Sequence, residues 1–312
     1  MDYKEELAKI NRKLVERYSK LDDSEDFWAY LYKPLRPSIR INTLKGKLNE
    51  IKKLLEEKFE LERIPWTKGE GFYINSYSVN YGELIEYSLG LIIPQEASSM
   101  IPPVVLDPKP GELILDMAAA PGSKTTQIAQ YMENDGCIIA NDAKRDRANI
   151  LIANLTRAGV LIAKVTVRDG AHYAKYEDTF DRILLDAPCS SVGMIRKNFK
   201  FAKTWSLGKV YYHSRLQKKL ILAAYRALKP GGVLVYSTCT VDPLENEEVV
   251  DYLLQKTDAK LKKINLPIKS TEPVLEWEGR RYSEELKKTI RIHPQDNDTE
   301  AFYIAKIIKP KR

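Results

Sequence analysis

Leu113-Ile114-Leu115-Asp116-Met117-Ala118-Ala119-Ala120-Pro121-Gly122-Ser123-Lys124-Thr125-Thr126 decides the fold. A short apolar run ends in Asp, a turn of small residues follows, and a helical pattern starts at Ser123. Ala118 to Ala120 and Gly122 keep the turn slim, so backbone can approach a ligand. The helix N-terminus beyond it presents free N–H groups suited to an anion. Gly-Ser-Lys-Thr suggests a triphosphate loop, but Met117 stands where that motif requires its first glycine, which excludes the loop.

The same alternation continues outward. Strands are predicted at Leu113–Asp116, Cys137–Asp142, Lys164–Val167, Arg182–Asp186, Val233–Ser237 and Phe302–Ile308. Helices are predicted at Ser123–Met132, Lys144–Ala158, Leu207–Leu228 and Glu245–Gln255. Alternating strands and helices give an α/β domain, doubly wound around a parallel sheet. Upstream, Pro94, Pro102, Pro103, Pro108 and Pro110 mark a junction. Before it, residues 4–20 carry Leu7, Ile10, Leu14 and Tyr18 at helical spacing, Ser38–Leu44 alternates like a strand, and Leu48–Phe59 is again helical. Residues 1–93 therefore form a small α+β module, and residues 94–312 the larger domain.

In such a sheet, ligands bind beyond the carboxyl ends of the strands. Asp142 ends the second strand, where a carboxylate can accept from ribose hydroxyls or cap the next helix. Asp169-Gly170 follows the third strand, in reach of an adenine amino group or as a plain turn. These turns predict a pocket for an adenosine-containing cofactor, without separating S-adenosylmethionine from a dinucleotide.

The cysteines separate them. Of the three, Cys137 lies inside a strand-like run and reads as a small core residue. Cys189, in Asp186-Ala187-Pro188-Cys189-Ser190, and Cys239, in Ser237-Thr238-Cys239-Thr240, each follow a strand end. Neighbouring strands bring both thiols and Asp186 to one spot beside the cofactor. Cytosine carbon 5 cannot take a methyl group unaided. A thiolate adding to carbon 6 makes it an enamine, a nearby acid stabilises the adduct, and a base then removes the carbon-5 proton. One Asp and two Cys meet those needs, and which thiol attacks stays open on spacing alone.

Composition agrees with that chemistry. Fifty Lys and Arg against 43 Asp and Glu give a net charge of +7, which favours a polyanion partner such as RNA. The three histidines are scattered and no Cys-x-x-Cys occurs, so neither a structural zinc nor a disulfide scaffold is expected. A charged N-terminus and the lack of any long apolar run predict a cytoplasmic protein with no membrane partner. Amino-group methyltransferases are a competing class. They need no thiol and carry Asn/Asp-Pro-Pro-Tyr/Phe where this chain has Asp186-Ala187-Pro188-Cys189.

Taken together, these motifs resemble the Nop/Sun RNA cytosine-C5 methyltransferases. Arg40-Ile41-Asn42-Thr43-Leu44-Lys45 and Gln95-Glu96-Ala97-Ser98 are similar to that family's N-terminal module and domain junction. Glu245-Asn246-Glu247 and His293-Pro294 followed by Ala301-Phe302-Tyr303-Ile304-Ala305 also fit. The resemblance implies a Rossmann-like class I methyltransferase sheet, an RNA-binding N-terminal module, S-adenosylmethionine as cofactor and a tRNA substrate, with rRNA the alternative, on a monomer. It implies that Ala118, Ala119, Ala120, Pro121, Gly122, Ser123 and Lys124 line the methionine end of the cofactor, with Asp142 on the ribose, Arg147 close by and Asp169 at the adenine. It implies Cys239 as nucleophile, Cys189 in product release, and Asp186 and Lys124 at the reacting base. Lys33, Arg36, Arg40 and Lys45 are candidates for docking RNA. Phe199, where the family usually has proline, and Leu244, where it has an acid, depart from the pattern.

Overall fold

Asp2 starts the first helix by accepting the Glu5 N–H at 3.0 Å. The computed structural model describes residues 2–76 and 78–311. Helix α1 (Tyr3–Tyr18) bends at Asn11, whose backbone leaves the helical region while its side chain donates to Ala202 O and Trp205 O at 2.9 and 3.0 Å. α2 (Glu25–Tyr32) follows a Ser24 cap. Leu7, Leu14, Tyr18, Phe27, Trp28 and Leu31 share one core with Trp205, Tyr236 and Leu244 of the large domain. The first two helices thus pack on the larger core.

The small module proper is a four-stranded antiparallel sheet with a core of its own. It contains β1 (Ser38–Ile41), α3 (Leu48–Glu56), β2 (Leu61–Arg63), β3 (Gly71–Ile74), α4 (Ile85–Ser88) and β4 (Ile92–Pro94), in strand order β2-β3-β1-β4. All four β1 positions are buried. Arg40, a candidate RNA contact in the sequence, is fully buried. It donates to Gln95 Oε1 at 3.0 Å, Thr126 Oγ1 at 2.6 Å and Gln130 Oε1. Arg40 is therefore a structural tie between the two parts, out of reach of RNA.

The larger domain runs α5 (Ile101–Leu106), β5 (Leu113–Asp116), α6 (Ser123–Tyr131), β6 (Cys137–Asp142), α7 (Arg145–Ala158), β7 (Ala163–Val167), β8 (Phe180–Asp186), α8 (Lys200–Thr204), α9 (Leu207–Ala227), β9 (Leu228–Thr238) and α10 (Glu247–Lys256). After these come β10 (Lys260–Lys262), the two-residue strands β11 (Glu276–Trp277) and β12 (Arg280–Arg281), β13 (Ile290–Ile292), α11 (Pro294–Asn297) and β14 (Phe302–Ile308). The sheet order is β10-β14-β9-β8-β5-β6-β7, with β13 beside β14. β5 to β9 are parallel, whereas β14 runs antiparallel to β9. This is the expected doubly wound, Rossmann-like sheet, with its switch point between β5 and β8. Among the described residues no helix is long and apolar enough to cross a membrane.

Candidate active site

Four of the chemically interesting residues stand at or just past the carboxyl ends of sheet strands. Asp116 ends β5, Asp142 ends β6, Asp186 ends β8, and Cys239 directly follows β9. The β8–β9 register pairs Asp186 with Ser237, so the two cysteine loops leave adjacent strands side by side. Cys189 Sγ lies 3.3 Å from Cys239 Sγ, and Ser191 Oγ is 3.7 and 3.8 Å from the two sulfurs.

Lys124, from the first turn of α6, joins them. Its ammonium donates to Asp186 Oδ2 at 2.7 Å and to Ser99 Oγ at 2.8 Å. The other Asp186 oxygen accepts from Ser237 Oγ at 2.7 Å. Burial alone would lower the Lys124 pKa, but Asp186 outweighs it and holds the amine charged. The neighbouring Cys239 sulfur and burial push the Cys189 thiol well up, so Cys189 keeps its proton at neutral pH.

Two clefts open onto this cluster, and Asp186 and Cys239 line both. The first, about 520 Å³, is lined by Met117, Ala118, Ala120, Asn141, Asp142 and Asp169, among others. The second, about 380 Å³, lies under the small module, whose Tyr87, Ile93, Pro94 and Gln95 contribute to it. The turn that looks uniform in sequence is split between them. Ala118 and Ala120 line the first cleft, and Pro121, Gly122, Ser123 and Lys124 the second, while Ala119 lines neither and donates its N–H to Asn141 O at 2.7 Å. Asp142 Oδ1 accepts the Lys144 N–H at 3.0 Å, and its other oxygen lies 3.5 Å from Arg147 Nη1. Asp169 pairs with Lys219 at 3.0 Å.

The first cleft suits an adenosyl group. Carboxylates stand at the tips of two neighbouring strands, the turn contributes the uncharged Met117, Ala118 and Ala120, and Pro188, Leu216 and Leu220 supply apolar wall.

Several contributors escape sequence reading. Asp116 is buried, accepts from Thr125 Oγ1 at 2.7 Å, and is raised by burial to about 7. Asn141 Nδ2 donates to Met117 O and Arg168 O, fixing the turn from below. Ser99 follows the Gln95-Glu96 junction, where Glu96 Oε2 accepts the N–H groups of Ser98 and Ser99. Only the acid at the strand end, Asp116, carries a signal that spacing could have flagged. Phe199 packs its ring on Tyr32 and Leu244 is buried in the core, so both departures from the family pattern serve packing.

Residues 103–308 match the family model for the 16S rRNA methyltransferase RsmB/F, and residues 10–97 that for the N-terminal domain of 16S rRNA methyltransferase RsmF. The chain belongs to the RsmB/F methyltransferase family. It is 87% identical over 311 residues, the whole of both chains, to a tRNA (cytosine(49)-C(5))-methyltransferase of Pyrococcus abyssi. It is 42% identical over 292 residues to ribosomal RNA small subunit methyltransferase F of Shewanella amazonensis, covering 91% of this chain and 60% of that one. NSun6 from Pyrococcus horikoshii with SFG superposes with a TM-score of 0.79 at 26% identity, covering 100% of this chain and 98% of that one. The likeness to Nop/Sun methyltransferases read from the motifs therefore holds across the RsmB/F fold, and S-adenosylmethionine is the cofactor of this enzyme class.

Proposed function

We propose that this methyltransferase acts on carbon 5 of a cytosine in tRNA through a covalent Cys239 adduct. The observation that carries the reading is the thiol pair, 3.3 Å apart, where two clefts meet beside Lys124 and Asp186. Asp142 at the ribose, Asp169 at the adenine, and Ala118 and Ala120 under the methionine end, with Arg147 alongside, would hold S-adenosylmethionine in the first cleft, where it would supply an electrophilic methyl and be left as the thioether. Residues from Pro121 to Lys124 then belong to the cytosine side, and Ala119 supports the turn from beneath.

The cytosine enters the second cleft. The Cys239 thiolate forms a bond to carbon 6, and the ring's 5,6 electron pair becomes an enamine. The Lys124–Asp186 pair lies at the ring's polar edge, where it lends a proton to N3 and stabilises the adduct. After carbon 5 is methylated, a water molecule takes its proton, N3 returns its own proton to the Lys124–Asp186 pair, the 5,6 double bond re-forms and the Cys239 sulfur departs as thiolate. Cys189, protonated and in contact with Cys239, serves this release. RNA docks on the small module and the exposed Lys45, with the target base flipped out of its stack.

The relative of the same length from Pyrococcus abyssi bears a tRNA name, and the structural neighbour carries SFG, an analogue of S-adenosylmethionine. Both support the reading. Ribosomal RNA is the second reading, because both matching family models bear 16S rRNA names. The test incubates the enzyme with labelled S-adenosylmethionine and either tRNA or rRNA fragments, then maps 5-methylcytosine. Cys239→Ala should abolish methylation, and Cys189→Ala should leave RNA bound to protein on denaturing gels. Full methylation by Cys239→Ala would sink the covalent mechanism.

A further inference from the structure

Cys189 stands between two peptide groups held by side chains from elsewhere in the fold. Gln217, wholly buried on α9, donates from Nε2 to Pro188 O at 2.8 Å and to Glu245 Oε2 at 2.9 Å. The same Glu245 oxygen accepts the Ser190 N–H at 2.9 Å. The carbonyl before Cys189 and the N–H after it are thus gripped by one buried Gln–Glu pair. The Glu245 backbone carbonyl accepts from Tyr236 OH on β9 at 2.5 Å, and Ser190 Oγ meets Thr240 Oγ1, next to Cys239, at 3.0 Å. Among the described residues the polar contacts of the Cys189 sulfur are Cys239 Sγ at 3.3 Å and Ser191 Oγ at 3.7 Å, and thiol contacts of this kind are weak and poorly directional.

Neither Gln217 nor Glu245 lines either cleft. Both are fully buried, and Gln217 Oε1 and Glu245 Oε1 have no hydrogen-bond partner among the described residues. Burial, helped by nearby Asp242, raises the Glu245 carboxyl to about 8. Burying polar oxygens that lack hydrogen bonds costs stability. What they hold is the backbone on both sides of one thiol. Cys239 directly follows β9, and its carbonyl accepts the Gly193 N–H at 3.0 Å.

We propose that the Gln217–Glu245 clamp is a positioning element for Cys189, which fixes the thiol spacing and so sets the rate of product release while leaving attack by Cys239 largely intact. This rests on the reading of Cys189 as the release residue. A positioning error near 1 Å costs about 10²-fold in rate. Gln217→Leu, close in size and lacking both donated bonds, should lower steady-state turnover by about that factor. Adduct formation in a single turnover should stay within about threefold of the parent enzyme, so RNA–protein adduct accumulates. Glu245→Ala should behave alike, and Glu245→Gln, which keeps the acceptor oxygen, should restore release.

The experiment follows adduct on denaturing gels and 5-methylcytosine in the same tRNA sample, with Cys189→Ala beside the clamp variants. Adduct with Cys189→Ala and Gln217→Leu, relieved in Glu245→Gln, supports the clamp. Adduct with Cys189→Ala but none with Gln217→Leu overturns the clamp alone. So does an equal loss of adduct formation and turnover in Gln217→Leu, which would be a folding defect only. No adduct with Cys189→Ala overturns the release role, and the clamp with it. Because Gln217→Leu lies on a long helix, it decides the matter even if Glu245→Ala fails to fold.

Discussion

Asp116 should make the enzyme less stable as pH rises, and its amide isostere should abolish the effect. The carboxyl is 1% exposed at the end of β5. Burial raises it from 3.8 to about 7; the Thr125 hydrogen bond opposes this and Asp186 adds to it. Below pH 3.8 folded and unfolded chains both carry the proton. Between 3.8 and about 7 the unfolded chain has released it while the fold retains it, so stability falls with pH. Above about 7 the whole penalty is present. At about 1.4 kcal/mol per pH unit, a shift of that size amounts to about 4 kcal/mol. Asp116→Asn can still accept from Thr125 and carries no charge at any pH. Guanidinium unfolding of both proteins from pH 4 to pH 8 should show the variant gaining about 4 kcal/mol on the parent across that range. The comparison cancels other titrating groups, such as Glu245 and Glu300, which are also raised. Parallel stability curves would refute the reasoning.

Three further outcomes follow from buried contacts. Arg40→Ala orphans Gln95, Thr126 and Gln130, and should cost roughly 3–5 kcal/mol in unfolding experiments. It should leave the salt dependence of RNA binding unchanged, since Arg40 meets no phosphate; a flatter slope on the log–log plot would contradict its structural role. Arg17→Ala strands Asp242, which accepts from Arg17 Nε at 2.6 Å and Nη2 at 2.9 Å, and should cost about 3–5 kcal/mol in the same assay. Gly122→Ala places a methyl 2.9 Å from Leu151 Cδ1 at φ +111°, and should lower stability by about 1–3 kcal/mol, visible as a reduced Tm.

The parallel strands were legible because each is an apolar run closed by a turn, and their observed ends differ little from the predicted ones. The exception is β9, which begins at Leu228, five residues before the predicted Val233. Lys229, Pro230 and the two glycines hid that start, which pairs with Phe180 across a register shift. In the small module β2 reads Leu-Glu-Arg, with two exposed charges, and no alternation announces it. The cysteines, Asp186 and Lys124 declared themselves by standing where strands end. Arg40 misled because a guanidinium looks like a surface charge until three distant side-chain oxygens surround it. Gln217 and Glu245 could not be found from spacing, since their importance lies in which backbone atoms they hold.

The union of Arg17 with Asp242 also governs when the enzyme can assemble. These partners lie 225 residues apart, and Asn11 reaches Ala202 and Trp205 across 191 and 194. A chain emerging from the ribosome therefore exposes its first helix long before the loop that receives it exists. Until that loop arrives, Leu7, Leu14 and Tyr18 have only part of their core. That helix is thus made well before it can dock, and such distant closure slows folding relative to a chain whose contacts are local.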